Sequence, residues 1–237
     1  MNDLDLNVFE STGALAEAAA TAIAKVLSDA VAAEGEASLV LTGGSTPAKI
    51  YEALATRSVP WEKVAIFFGD ERAVPPSDDD SNYKMAHATL LANLTAQPRL
   101  VERLQGEQSD LEQEAVRYAS VLPEAPTLLL LGVGEDGHIA SLFPGRPEAH
   151  ETARRVVVVH DSPKPPPTRL SITPAVVARA KTLFVLAAGA AKSDALFAAF
   201  SGTDSPLPVA LARRGTFFLD AAAAARLQNE TAAGINS

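Results

Sequence analysis

Short, unbroken apolar runs alternate along this chain with longer stretches in which apolar residues recur at helical spacing. Such runs are typical of strands buried on both faces of a parallel sheet, because those strands have no face that contacts water. The predicted strands are 6–9, 38–42, 64–68, 100–104, 126–132, 156–159, 183–188 and 216–219. The predicted helices are 12–33, 47–56, 81–91 and 111–121, with Ser11 before the first and Ser81 as a suitable N-cap of the third.

This alternation predicts an α/β fold with a single doubly wound, mainly parallel sheet and helices on both faces, a Rossmann-like arrangement of three layers. The proline-rich residues 163–167 are interpreted as a stiff loop inside one domain that spans 1–237. In such folds ligands bind beyond the carboxyl ends of the strands. The residues that directly follow each strand are therefore the candidates for function.

Composition narrows the classes of function. The chain has 237 residues, 47% of them apolar, and no cysteine, which excludes disulfides and thiol nucleophiles. Its net charge of −9 and the lack of any basic run argue against a nucleic-acid partner. The N-terminus lacks a signal-peptide pattern, and the alanine-rich stretch 14–33 carries charged residues, so we expect a cytoplasmic protein without a membrane partner.

The first strand end of interest reads Thr-Gly-Gly-Ser-Thr-Pro at residues 42–47. Gly43 and Gly44 would let the backbone approach a ligand closely, and the following helix would present free N–H groups to an anion. Ser45 and Thr46 would add hydroxyl donors. The alternative is an ordinary tight turn in which Ser45 or Thr46 caps the helix, and the pattern alone does not decide between the two.

The second strand end carries three consecutive charged residues, Asp70, Glu71 and Arg72. Arg72 is a candidate either to bind a phosphate or to stabilise a developing oxyanion. Asp70 and Glu71 are candidates to orient the arginine or to take part in proton transfer, and a solvated loop is the alternative. A magnesium site at these carboxylates is not favoured, because no companion ligands follow, and His87, His150 and His160 show no metal-ligand spacing.

The third strand end is the most informative. The buried strand leads into a glycine-rich loop that contains Glu135, Asp136 and His138. Histidine is the side chain best suited to proton transfer near neutral pH, and a neighbouring carboxylate holds its ring and favours its charged form. A structural histidine in a tight turn is the alternative, but the position at a strand end favours function.

Two further cations follow late strands. Arg169 lies on one face of a short extended piece at 168–173, and Lys192 follows Gly189 in the first turn of a predicted helix. A cation is slightly unfavourable at a helix N-terminus, and a bound phosphate would remove that conflict. A plain surface lysine is the alternative for Lys192.

Five motifs together resemble the 6-phosphogluconolactonase family, which belongs with glucosamine-6-phosphate isomerase/deaminase in one superfamily. They are TGGSTP (42–47), FGDERAVP (68–75) with Ser81-Asn82, LGVGEDGHIASLFPG (131–145), TRLSIT (168–173) and GAAK (189–192). The resemblance covers about residues 38–195, and the second and third motifs are the specific ones. It implies hydrolysis of 6-phospho-D-glucono-1,5-lactone in the oxidative pentose phosphate pathway, without a cofactor or a metal.

The resemblance also implies roles for the candidate residues. His138 would be the general base that activates water, and Asp136 would orient it. Arg72, helped by Asp70, would stabilise the oxyanion or position the substrate. The phosphate would bind at Gly43, Gly44, Ser45 and Thr46, with Arg169 and Lys192 as its cations, although which cation meets which end of the substrate stays open. The only expected partner is the small sugar-phosphate lactone, and we expect a monomer or a weak homo-oligomer.

Two other functions fit the sequence less well. A glucosamine-6-phosphate deaminase typically continues after the histidine toward an Asn-Glu-Pro segment, whereas here no carboxylate follows His138 until Glu148. A sugar-phosphate sensor of a transcription regulator would carry a DNA-binding segment before the first strand, for which this chain has no room.

Overall fold

The computed structural model describes residues 4–202 and 204–233. In these residues the strands are β1 Asp5–Phe9, β2 Ala37–Leu41, β3 Val64–Phe68, β4 Asp70–Arg72, β5 Leu100–Val101, β6 Leu128–Gly132, β7 Val156–Val159, β8 Arg169–Ile172, β9 Thr182–Ala187 and β10 Thr216–Asp220. The α-helices are α1 Thr12–Glu34, α2 Ser45–Ala55, α3 Asn82–Thr89, α4 Leu111–Val121, α5 Pro174–Arg179, α6 Ser193–Phe200 and α7 Ala221–Ala233. Short 3-10 helices cover Trp61–Lys63, Leu91–Asn93, Pro147–His150, Ala190–Lys192 and Pro208–Ala212.

Seven strands form one parallel sheet in the order β1-β10-β9-β6-β2-β3-β5. Along the chain, the sheet grows from β2 to β3 and β5 on one side and from β6 to β9 and β10 on the other. The first strand, β1, pairs with β10 at the edge of the sheet. The switch point therefore lies between β2 and β6, where the loops after the two strands separate and leave a crevice. The predicted α/β fold with a mainly parallel sheet is confirmed. Of the predicted domain 1–237, residues 1–3, 203 and 234–237 lie outside the described residues.

The centre of the sheet is covered on both faces, since every residue of β2 and β3 is buried. This burial explains why these strands read as continuous apolar runs in the sequence. The helices pack on the sheet and on each other, with α1 against α2 and α6 against α7. The predicted N-cap Ser81 is confirmed, because it accepts from the Lys84 N–H at 3.2 Å, and Ser11 likewise caps α1 by accepting from the Ala14 N–H at 3.2 Å.

A second, three-stranded antiparallel sheet in the order β4-β8-β7 departs from the single predicted sheet. The apolar run Val156–Val159 looks like a parallel strand in the sequence, but it pairs with β8 instead. The charged β4 has no strand signature at all, and its pairing with β8 makes it a strand. The prediction that α2 begins at Pro47 is also wrong, because the helix begins at Ser45 and Pro47 occupies its third position.

Two tyrosine hydroxyls hold strand ends beside the switch point. The Tyr51 hydroxyl, from α2, accepts from the Thr42 N–H at 2.9 Å and donates to the Thr42 carbonyl at 2.8 Å. The Tyr118 hydroxyl, from α4, does the same for Phe68, at 2.7 Å from its nitrogen and 2.9 Å from its oxygen. Burial raises the pKa of both hydroxyls, most of all that of Tyr118, so both stay protonated.

We predict that Tyr118→Phe lowers the free energy of unfolding by about 1–3 kcal/mol, because it leaves a buried N–H and a buried carbonyl of Phe68 without a partner. Urea denaturation measures this change. Tyr83→Phe is the matched control, since no hydrogen bond of the Tyr83 hydroxyl is present in the described part of the chain, and the ring contacts with Phe68, His87 and Arg103 are kept by phenylalanine. Equal stabilities of the two variants would contradict the role of Tyr118.

Candidate active site

A cavity of about 300 Å³ lies at the carboxyl ends of β2, β6 and β9, at the switch point of the sheet. Nine of the ten predicted site residues line it; these are Gly43, Gly44, Ser45, Thr46, Asp70, Arg72, His138, Arg169 and Lys192. The tenth, Asp136, lies behind His138 and contacts its ring. The structure therefore brings together loops that are separated by up to about 150 residues in the chain.

The loop after β2 presents backbone donors to this cavity. Gly44 is the N-cap of α2 with φ 110°, a conformation that favours glycine, and no side chain caps the helix. The alternative of a turn capped by Ser45 or Thr46 is therefore wrong, and the N–H groups of both residues have no partner among the described residues. A side chain at Gly43 is impossible without movement, since its Cβ would lie 1.9 Å from Asn82 Oδ1.

Asp70 is a buried carboxylate with two side-chain donors. Its Oδ1 accepts from Asn82 Nδ2 at 3.1 Å, and its Oδ2 accepts from the Ser141 hydroxyl at 2.7 Å. No hydrogen bond or ion pair joins Asp70 to the Arg72 side chain in the described residues, so Asp70 does not orient Arg72 by direct hydrogen bonding.

Glu71 points away from the cavity and fixes the start of α3. Its Oε1 accepts from the backbone N–H groups of Arg72 and Asn82 at 2.9 and 2.7 Å. Its Oε2 accepts from the Tyr83 N–H at 2.8 Å and the Ser81 hydroxyl at 3.0 Å. Burial raises the pKa of Glu71 above its ordinary value, and these hydrogen bonds oppose that effect. Glu71 thus places Asn82, which in turn contacts Asp70.

Arg72 reaches the cavity from the edge of the small sheet. Its Nη1 donates to the Asp80 carbonyl at 2.6 Å, whereas its Nε is buried without a partner. Arg72 pairs directly with Arg169 across β4 and β8. Like charges at opposed positions repel, and an anion bound between them would relieve the repulsion.

The His138 loop is a tight turn that holds the ring against a carboxylate. The Gly134 N–H donates to the His138 carbonyl at 2.8 Å, and the Gly137 N–H donates to the Gly134 carbonyl at 3.0 Å. His138 Nδ1 lies 2.5 Å from Asp136 Oδ1, and the ring packs on Phe143 with centroids 4.6 Å apart. A Cβ on Gly134 would lie 1.9 Å from Nδ1, so glycine is required for this arrangement.

This contact fixes the chemistry of both partners. Burial acts to raise the pKa of Asp136, but the hydrogen bond and the charge of His138 outweigh it, and the pKa lies well below the usual range. An ionised Asp136 can only accept a hydrogen bond, so this contact favours the neutral tautomer of His138 that has the proton on Nδ1 and the lone pair on Nε2. His138 also lines the cavity.

Four cations border the cavity without a carboxylate partner. The described residues form fourteen ion pairs, and none of them includes Arg72, Lys164, Arg169 or Lys192. Burial lowers the pKa of Lys192, and the charge of Lys164 acts in the same direction, against Glu135 and Asp136. Burial also lowers the pKa of Arg169, while Asp70 raises it. A strongly acidic chain therefore holds a locally positive cavity, which suits an anionic ligand.

Three residues of the site are not among the ten predicted ones. Asn82 and Lys164 line the cavity, and Ser141 contacts Asp70. Asn82 and Ser141 belong to motifs noted in the sequence, but only the fold shows that both contact Asp70. Lys164 lies in the proline-rich stretch, which looks like a plain connecting loop in the sequence, yet it lines the cavity. Lys192, predicted in the first turn of a helix, is the last residue of the 3-10 helix that directly precedes α6.

No group of three or more potential metal-ligating side chains is assembled anywhere in the described ranges. The Asp70 and Glu71 oxygens, the site considered for magnesium, already accept hydrogen bonds from protein donors. Within residues 4–202 and 204–233, no helix has the length and apolar character needed to cross a membrane.

Comparison with known proteins gives a consistent set of relatives. The sequence profile described as glucosamine-6-phosphate isomerases/6-phosphogluconolactonase matches residues 10–219. A 6-phosphogluconolactonase of Mycobacterium tuberculosis is 36% identical over 94% of this chain and 98% of its own length. One of Streptomyces coelicolor is 38% identical over 90% of each chain. A solved 6-phosphogluconolactonase structure from Trypanosoma brucei superposes with a TM-score of 0.81 at 29% identity and covers 94% of this chain and 98% of that one.

We predict that Glu71→Gln lowers the free energy of unfolding by about 1–3 kcal/mol, because the Tyr83 N–H and the Ser81 hydroxyl would then face an amide NH₂ group. Denaturation in urea checks this value. Glu62→Gln is the matched control, since Glu62 is an exposed residue of the 3-10 helix Trp61–Lys63. A Glu71 variant as stable as the control would show that the carboxylate does not anchor α3.

Proposed function

We propose that this chain, which belongs to the glucosamine-6-phosphate isomerase/6-phosphogluconolactonase family, hydrolyses 6-phospho-D-glucono-1,5-lactone to 6-phosphogluconate. One observation carries the proposal: a histidine whose Nδ1 contacts a carboxylate shares a cavity with four cations that lack carboxylate partners. The substrate matches both halves of this cavity, because it has a carbonyl that water attacks and a phosphate that carries about two negative charges. The names of the relatives support the same activity.

His138 acts as the general base in this proposal. Its Nε2 takes a proton from water as the water oxygen bonds to the lactone carbonyl carbon, and Asp136 stabilises the imidazolium that forms. The tetrahedral intermediate then collapses, the bond between the carbonyl carbon and the ring oxygen breaks, and His138 returns the proton to that oxygen. Atoms and charge balance in these two steps without a redox partner, so the proposal includes no cofactor and no metal.

Arg72 stabilises the negative charge that develops on the carbonyl oxygen. Its side chain is held in place by the Asp80 carbonyl, and its buried Nε has no protein partner that would compete with the substrate. Asp70 contributes by organising the cavity wall through Asn82 and Ser141 and by balancing the charge of Arg169. It has no part in proton transfer in this proposal, because His138 carries out both proton transfers.

The phosphate binds where α2 begins. The free N–H groups of Ser45 and Thr46 and the positive end of the helix dipole favour an anion there. Gly43 and Gly44 keep the backbone accessible, and Arg169 and Lys192 supply positive charge from the other side of the cavity. The binding of the phosphate places the lactone carbonyl beside His138.

The wider setting is part of the same proposal. The chain would act as one domain over 1–237, on a small sugar phosphate and without a nucleic-acid or membrane partner, in the cytoplasm. The reaction would be the second step of the oxidative pentose phosphate pathway, and the protein would be a monomer or a weak homo-oligomer.

The second candidate is the deaminase activity of the same family. That reaction moves a proton between neighbouring carbons and needs acid chemistry to open the sugar ring, and in that family the loop after the histidine typically continues toward an Asn-Glu-Pro segment. The first carboxylate after His138 is Glu148, which does not line the cavity. The geometry therefore favours the lactonase.

The test follows the loss of the phosphorylated lactone, made with a dehydrogenase, with and without the protein. We predict strong acceleration over the spontaneous reaction and a loss in kcat of about 10²–10⁴ in His138→Ala with little change in KM, because the base acts only in the transition state. His150→Ala, which alters an exposed histidine outside this cavity, is the matched control.

A wild-type protein that does not accelerate lactone loss would overturn the proposal, and ammonia release from glucosamine 6-phosphate would establish the deaminase in its place. Full activity in His138→Ala would leave the lactonase standing and remove His138 as its base.

A further inference from the structure

Most of the hydrogen-bond donors of Arg169 are already bonded to backbone carbonyls of the protein. Its Nε donates to the Pro166 carbonyl at 3.1 Å, and its Nη2 donates to the carbonyls of Lys164 and Pro165 at 3.0 Å each. Only Nη1 remains, 3.5 Å from the Ser141 hydroxyl. The residue is 3% exposed. A guanidinium with these contacts has too few free N–H groups for the bidentate contact that arginine often makes with a phosphate.

The three carbonyls belong to the proline-rich loop 163–167. Ser162 closes this loop, because its N–H donates to the Pro167 carbonyl at 2.8 Å and its hydroxyl donates to the Lys164 carbonyl at 2.9 Å. The same hydroxyl accepts from the Lys164 N–H at 3.3 Å. Lys164 is therefore held at both its backbone nitrogen and its backbone oxygen, and prolines directly before and after it restrict the chain further.

The Lys164 side chain is free by comparison. It is half-buried and lines the cavity, and its ammonium group has no ion pair or hydrogen bond among the described residues. Its charge acts on Lys192, which lines the same cavity. Two ammonium groups that share a cavity without a carboxylate between them repel each other, and a ligand with two negative charges removes that repulsion.

We propose that Lys164 binds the phosphate of the substrate together with Lys192, and that Arg169 is a positioning residue that holds Lys164 in place through the loop. This inference rests on the proposed lactonase function and adds a specificity-determining residue to it. Lys164 distinguishes phosphorylated from unphosphorylated lactones, because only the former supply the charge that it neutralises.

The first experiment compares Lys164→Met with the wild-type enzyme on 6-phosphogluconolactone and on unphosphorylated glucono-1,5-lactone. We expect KM for the phosphorylated lactone to rise on the order of 10-fold to 100-fold with kcat nearly unchanged, because a charged hydrogen bond of uniform binding is lost. The KM for the unphosphorylated lactone should not change. Lys164→Arg keeps the charge and should restore most of the affinity.

Lys63→Met is the matched control, because Lys63 is exposed and precedes β3, at the sheet edge opposite the cavity. An unchanged KM in Lys164→Met, or an equal rise for both lactones, would overturn the inference while the proposed function stands. A wild-type protein without lactonase activity would instead defeat the proposed function itself.

The second experiment tests whether Arg169 acts through Lys164, with a double-mutant cycle on KM. If Arg169 positions Lys164, then Lys164→Met should have little further effect once Arg169→Met has released the loop. Additive effects would show that Arg169 binds the phosphate independently and would overturn the positioning role. Where urea unfolding shows that Arg169→Met is not folded, Arg169→Lys replaces it, since lysine keeps the charge but cannot bond all three carbonyls.

Discussion

The site depends on a constraint at the edge of the sheet: the ends of β2 and β3 are held by the hydroxyls of Tyr51 and Tyr118. Each hydroxyl satisfies a backbone N–H and a backbone carbonyl that buried strand ends cannot leave unpaired. The turn that we propose as the phosphate site starts directly after the first of these ends, and a single residue, Gly69, separates the second from β4. The core of the sheet thus sets the positions of Ser45 and Arg72 before any ligand binds.

The arrangement of charge is the second organising feature. The chain carries a net charge of −9, and most of its cations are paired on the surface, yet the four around the cavity have no carboxylate partner among the described residues. Unpaired cations at partly buried positions cost stability, since burial penalises the charged form. A phosphorylated substrate would offset this cost on binding, so affinity for the ligand and instability of the empty site have one physical cause.

Much of the fold and of the site could be predicted because both leave local signals. Buried parallel strands read as apolar runs, and glycines mark turns such as that of Gly134, where a side chain would collide with His138. The rest depends on contacts between distant residues. Nothing near Asp70 in sequence shows that it pairs with Ser141, 71 positions away, or that β4 becomes a strand. In the sequence Lys164 looks like part of a linker, and only the fold shows that Arg169 donates a hydrogen bond to its carbonyl.

In the proposed mechanism, Asp136 holds a proton on His138 Nδ1 and leaves Nε2 free to accept one. Nitrogen NMR of the protein labelled at its four histidines measures this directly, with the His138 signals assigned by their loss in a His138 variant. We expect the neutral ring to be protonated at Nδ1 and unprotonated at Nε2. A neutral ring with its proton on Nε2 would contradict the account, because such a ring could not take the proton of the attacking water.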